Sequence, residues 1–216
     1  MKLRILAAAL TASLALMACS GSDDFVNEYE SLNGQETSGG STYLELNIRE
    51  DHRFTIATEE QVRDLLDKGN GAIYFGFPEC PWCRNAVPVI DEAAEAVNLD
   101  EILYLNVMEM RDQKSRDADG EIVTDKEGTD FYYYLLEQLG DLAPAYTSLE
   151  DPNERRILVP LVAVVVGGNV VDTHLSTVDS QEDPHTPLTD EQHTELLDIY
   201  KQMFSRIPGC GEYACE

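Results

Sequence analysis

Basic residues are scarce in this chain: Lys and Arg number 15 against 41 Asp and Glu, giving a formal charge of -26 over 216 residues. A surface of that sign repels phosphate backbones and anionic head groups. No local run of Lys and Arg overrides it, so nucleic acid is excluded as a main partner. Long hydrophobic runs are missing too. The most extended, Ile5 to Ala18, is interrupted by Thr11 and Ser13 and is too short to span a bilayer. The only histidines, His52, His174, His185 and His193, have no metal-ligand spacing. Asp117-Ala-Asp119-Gly120 fails as a calcium loop, because its register puts Ser115 in the first ligand position and Lys126 in the twelfth. The reading therefore calls for no metal and no cofactor. What remains, 43% hydrophobic and 26% charged, is the composition of one globular domain with a fair-sized core.

Lys2 and Arg4, set before the Ile5 to Ala18 run, have the build of a secretory signal, so residues 1–18 are set apart from the fold. The run ends Leu16-Met17-Ala18-Cys19-Ser20, which resembles the lipobox of bacterial lipoproteins. That resemblance implies cleavage before Cys19 and a diacylglyceryl group on its thiol, and two acyl chains make a stable anchor. The alternative is a soluble secreted chain cut near Ala18, with Cys19 a spare thiol. Residues 19–41 are rich in Ser, Gly, Asn, Asp and Glu with scattered apolar positions, and they are expected to form a flexible tether.

A folded domain is expected over residues 42–207. Alternation of Leu44, Leu46 and Ile48 with Glu45 and Asn47 suggests a short first strand. Thr58-Glu59-Glu60-Gln61 is a capping-box pattern that opens a helix over 59–68, stopped by Gly69-Asn70-Gly71. Ala72 to Phe77 reads as a buried strand, and Pro81 to Val97 as a helix with Pro88 inside it. Ile102 to Val107 reads as another buried strand, and Asp130 as the cap of a helix with Phe131, Tyr134, Leu135 and Leu139 on one face. The polar stretch 111–128 is an excursion, and Tyr132 to Tyr134 reads as packing. Leu161 to Val166 turns through Gly167-Gly168-Asn169 into Val170-Val171 as a hairpin. A second capping box, Thr189 and Gln192, opens the last helix. Strands alternating with helices predict an α/β fold with a central mixed sheet flanked by helices.

The five cysteines are Cys19, Cys80, Cys83, Cys210 and Cys215. Cys80-Pro81-Trp82-Cys83 stands where a strand gives way to a helix. A helix N-terminus stabilises a thiolate, so Cys80 is the expected nucleophile. Cys83, one turn on, is placed to attack a mixed disulfide formed on Cys80. Pro81 at the first helical position loses no hydrogen bond. A purely structural disulfide, or a four-thiolate zinc site with Cys210 and Cys215, are the alternatives. Cys210 and Cys215, on the tail 208–216, read as a local structural disulfide or as a second, relaying redox pair.

These motifs resemble the thioredoxin superfamily, from about Phe54 to Ile207. A basic residue follows the second cysteine, here Arg84, and a kinking proline lies eight residues after the first, here Pro88. Val159-Pro160 stands before a strand that ends in Gly167-Gly168. The resemblance implies a thioredoxin fold, a cis bond at Pro160, and a substrate surface formed by Trp82, Val159 and Pro160. It implies thiol-disulfide exchange with protein substrates and a redox partner, and the lipobox resemblance implies that this takes place in an extracytoplasmic protein held to the membrane by its lipid alone. Two positions depart from the family. Tyr74 stands where many thioredoxins bury an acid, so water or another acid must accept the Cys83 proton. Glu79 precedes Cys80 where thioredoxins have tryptophan, and its charge should oppose a Cys80 thiolate that Arg84 favours. The insertion, about 111–156, resembles thioredoxin-like bacterial lipoproteins and bacteriocin-accessory-like proteins. The alternative is a non-catalytic binding module of the same fold, with Cys80 and Cys83 as a brace.

Overall fold

A computed structural model describes residues 20–211. The expected signal segment 1–18, Cys19 and Cys215 lie outside the described residues. The elements run α1 (Ser20–Glu30), β1 (Phe54–Ile56), α2 (Glu59–Lys68), β2 (Gly71–Gly76), α3 (Pro81–Ala96), β3 (Ile102–Asn106), β4 (Gln113–Arg116), β5 (Ile122–Lys126), α4 (Asp130–Leu139), β6 (Leu161–Val166), β7 (Asn169–Leu175) and α5 (Asp190–Phe204). Five strands form one mixed sheet in the order β1-β3-β2-β6-β7, and β4 and β5 form a separate two-stranded sheet. The contacts of β3 with β1 and β2 are parallel, while β6 and β7 join antiparallel. The chain is thus α/β, a mixed sheet covered on both faces by helices.

The period of two in β2 sorts the core into its layers. Ala72 and Tyr74 face a cluster containing Ala86, Val87 and Ile90 of α3 and Leu196, Tyr200 and Phe204 of α5. Ile73 and Phe75 face the other way, toward Val62 and Leu66 of α2 and Phe131 and Leu135 of α4. Both capping boxes form: Thr58 and Thr189 accept from the third helical amide, and Gln61 and Gln192 bond back to the cap. Such a reciprocal pair satisfies two orphan amides and is worth about 1 kcal/mol.

Three sequence expectations need correction. Residues 19–41 are not a flexible tether where they are described, for Ser20–Glu30 is helical and Phe25 and Tyr29 are fully buried. The signal was one apolar pair at i,i+4, which puts both rings on one helix face. Phe25 stacks on Phe54 at 4.4 Å and meets the edge of Tyr104 at 4.9 Å. Burying two aromatic side chains contributes roughly 2 to 3 kcal/mol each, enough to order a polar helix. The folded domain therefore begins well before residue 42.

The expected strand at 43–48 does not form either. Its backbone bonds to side chains: Asn33 bonds both the N–H and the C=O of Leu46, at 2.9 and 2.7 Å, and Glu30 Oε1 accepts from the Ile48 N–H at 2.7 Å. With those groups taken there is no ladder, and the first strand is Phe54–Ile56 instead. The excursion 111–128 is in part a hairpin, with β4 and β5 paired through Ser115 and Val123.

The β6–β7 turn is the two-glycine hairpin its sequence implies, with φ of +56° at Gly167 and +80° at Gly168. Left-handed geometry at both central positions matches the strand twist. A Cβ at Gly168 would also run into the Asp67 carbonyl, while one at Gly167 would meet nothing. Gly168→Ala is thus expected to cost about 2 to 4 kcal/mol in urea unfolding, and Gly167→Ala about 1 kcal/mol. Equal losses would show that the clash with α2 is not the cause.

Candidate active site

Strand β2 ends at Gly76, and the chain turns through Phe77-Pro78-Glu79 to place Cys80 at the N-cap of α3. Cys80 Sγ accepts the Cys83 N–H at 3.3 Å and lies 3.8 Å from the Val159 carbonyl oxygen. Pro81 occupies the first helical position, and Pro88 sits inside α3 without ending it. The Val159-Pro160 bond is cis. The sheet thus brings together two segments eighty residues apart in sequence, because β6, which starts right after Pro160, pairs directly with β2 through Phe75 and Leu161. Trp82 and Val159 are half-buried beside the cysteines.

The two thiols are set apart by their surroundings. Cys80 keeps 7% of its surface and Cys83 none. The Cys80 thiol is held below the usual thiol range, first by the hydrogen bond from Cys83 and then by the Cys83 and Trp82 N–H groups and the Arg111 charge, which together outweigh burial. Burial pushes the Cys83 thiol well up, and the Cys80 sulfur beside it raises it further. One thiol is poised to ionise and its neighbour to hold its proton.

Arg84 does not act on Cys80 as the sequence suggested. Its side chain is 1% exposed and turns away into the body of the domain. There it donates to the Leu44 carbonyl at 2.8 Å, the Tyr29 carbonyl at 2.8 Å, the Pro78 carbonyl at 3.4 Å and Asn33 Oδ1 at 2.6 Å. The cation beside Cys80 is instead Arg111, held over the Phe77 ring at 4.9 Å and bonded to the Ile157 carbonyl at 3.4 Å. It comes from the start of the insertion, and no local motif marked it. Glu79 is exposed, so water screens the charge that was expected to oppose the thiolate.

Tyr74 sits beside Cys83, and its hydroxyl bonds the Tyr29 hydroxyl at 2.9 Å. Tyr104 donates to Glu28 Oε2 at 3.0 Å. Burial raises all three tyrosines above the ordinary phenol range. Tyr29 and Glu28 were missed because they lie in the segment read as a tether.

Cys210 is placed far from this centre. The Gly211 N–H bonds the Val97 carbonyl, so the tail lies at the C-terminal end of α3 while Cys80 caps its N-terminus. Sixteen helical residues separate the two ends, about 24 Å at 1.5 Å per residue. A zinc site joining Cys80, Cys83 and Cys210 cannot assemble across that distance, and direct exchange between Cys210 and the Cys80 and Cys83 pair is equally out of reach. Burial raises the Cys210 thiol.

Comparison with family models, with curated proteins and with solved structures finds no match.

Proposed function

We propose that this protein is a thioredoxin-fold thiol-disulfide oxidoreductase that exchanges disulfides with protein substrates through Cys80 and Cys83. The observation that carries the reading is the Cys80 sulfur. It caps a helix N-terminus, accepts a backbone N–H, lies below the usual thiol range and faces the Val159 carbonyl ahead of a cis-proline. An extended substrate segment laid along Val159 would bring its disulfide to that sulfur, and Trp82 would flank it.

The chemistry runs in two exchanges. The Cys80 thiolate attacks a substrate disulfide, an S–S bond to Cys80 forms, and one substrate thiolate leaves. Cys83 then attacks Cys80, the internal disulfide forms, and the second substrate thiolate departs; the substrate gains two electrons and the cysteine pair loses them. Oxidation of a substrate is the same sequence reversed. An extracytoplasmic position, with the lipid on Cys19 as the attachment, completes the reading. With α1 beginning at Ser20, such an anchor would hold the domain close to the bilayer. Among the described residues no helix is long and apolar enough to cross a membrane.

The burial of both thiols favours one rival, a binding module in which the pair is an inert brace. Two measurements separate them. Alkylation of Cys80 by iodoacetamide is expected to reach its plateau at a lower pH than a free thiol, since the thiolate persists above a lowered pKa. Cys83→Ser is expected to leave substrates covalently attached to Cys80, recovered as mixed disulfides that dithiothreitol releases. A pair that alkylates only after unfolding, and traps nothing, establishes the brace.

A further inference from the structure

We propose that Tyr74, Tyr29 and Tyr104 form a proton path from the Cys83 thiol to the Glu28 carboxylate, and that this path takes up the proton that leaves when Cys83 resolves a mixed disulfide on Cys80. The inference rests on the exchange chemistry proposed above and names the groups that serve its second step.

Cys83 has no exposed surface, so the proton it must lose has no direct way into bulk water. Tyr74 is buried in the same cluster, and its hydroxyl bonds that of Tyr29 at 2.9 Å. The Tyr29 and Tyr104 rings meet edge-on at 5.9 Å within the same buried cluster. Tyr104 donates to Glu28 at 3.0 Å, and Glu28 reaches the surface, where Asn106 Nδ2 also meets it at 3.5 Å. Three tyrosines thus lead from the buried sulfur to a partly exposed carboxylate.

Two further facts fit a path better than simple packing. The Tyr74 hydroxyl lies where a side chain at residue 76 would begin, so only glycine there leaves it room. Both Tyr29 and Glu28 come from α1, so one helix supplies the middle and the end of the path. Burial keeps each tyrosine from resting as an anion, so the hydroxyls pass a proton along and do not hold one. The step balances as follows. The Cys83 proton moves to the Tyr74 oxygen, Tyr74 gives its own to Tyr29, Tyr29 to Tyr104, and Tyr104 to Glu28. The Cys83 sulfur, now a thiolate, forms the bond to Cys80 as the substrate thiolate leaves, and Glu28 returns the proton to water. The other titratable groups bearing on Cys83 are Cys80 at the N-cap of α3, Tyr200 of α5 and Arg111 of the insertion. Arg84 bears on Tyr29.

The test uses the full chain with Cys19→Ser, Cys210→Ser and Cys215→Ser, reacted in its reduced form with dithiobis(nitrobenzoate) in stopped flow. The first thionitrobenzoate released reports attack by Cys80, and the second reports resolution by Cys83. Glu28→Gln keeps an acceptor for the Tyr104 hydroxyl but cannot take its proton. Tyr29→Phe removes the middle hydroxyl. In each variant the second release is expected to slow by roughly a hundredfold or more at neutral pH, the range of a lost general base. The first release serves as the internal reference. Wild-type resolution is expected to stay level around neutral pH, whereas in Glu28→Gln it climbs about tenfold per pH unit as hydroxide takes over. A merely structural role for Glu28 would not move that slope. Unchanged second release and slope in Glu28→Gln, which alters only a partly exposed group, overturn the path. If the wild type itself gives no second release, the exchange chemistry fails at its root and the path falls with it, a result distinct from the first.

Discussion

Cys80→Ser is expected to slow disulfide exchange on the order of a thousandfold or more, the scale seen when an enzyme loses its nucleophile. Nothing near it can substitute. Cys83 is fully buried and its thiol is pushed up, so neither access nor ionisation favours attack from that sulfur. Serine keeps the N-cap, since its oxygen accepts the same N–H, and the fold should survive the change. Reduction of an insulin disulfide with dithiothreitol as the electron source would read the loss. Cys210→Ser in the same assay is expected to match the wild type, because its sulfur lies at the far end of α3. Residual turnover within about tenfold of wild type in Cys80→Ser would mean that the nucleophile is elsewhere, since a nucleophile's loss costs far more.

The parts of this architecture legible in the sequence are those whose causes are local. Capping boxes, two glycines at a turn and a run of buried β-branched residues each carry their structure within a few positions, and α2, β2, β6 and α5 lie close to where those signals put them. The Cys80 and Cys83 pair was legible for the same reason, as a strand, a turn and a helix N-terminus are neighbours in the chain. What was not legible depends on partners far away. The helix Ser20–Glu30 is polar in composition, and distant partners make it part of the body: Phe25 stacks on Phe54 and meets the edge of Tyr104, and Arg84 bonds the Tyr29 carbonyl. Leu44, Leu46 and Ile48 alternate as a strand should, yet Asn33, Glu30 and Arg84 claim their backbone groups first. Position alone suggested that Arg84 would serve Cys80, since it follows Cys83. A helix turns each successive side chain by about 100°, however, and that rotation carries Arg84 to the α1 side while Arg111 arrives from the insertion to face Cys80.

That displacement makes Arg84 the residue whose loss should harm the fold most. It is a nearly fully buried cation with no carboxylate bonded to it among the described residues, and burial lowers its pKa. Its guanidinium instead answers four acceptors, on Tyr29 within α1, on Asn33 just after it, on Leu44 in the extended segment and on Pro78 in the turn before Cys80. Bonds of this kind, charged donor to carbonyl, are worth more than neutral ones, and removing the donor strands its acceptors away from water at about 1 to 3 kcal/mol each. Arg84→Met, which keeps the apolar stem, is expected to cost about 3 to 5 kcal/mol in urea unfolding, large beside the whole stability of a domain. Arg84→Lys should recover only part, since an ammonium cannot reach four acceptors spread around a planar fork. The damage should be directional. Unfastened at Tyr29 and Asn33, α1 would come away first, exposing Phe25 and Tyr29 to limited proteolysis before the sheet unfolds, and taking the Tyr29 hydroxyl from Tyr74. A loss below about 1 kcal/mol, the worth of one ordinary hydrogen bond, would show that the clasp does not hold α1. Cleavage spread evenly along the chain would show that α1 is not the first segment to leave.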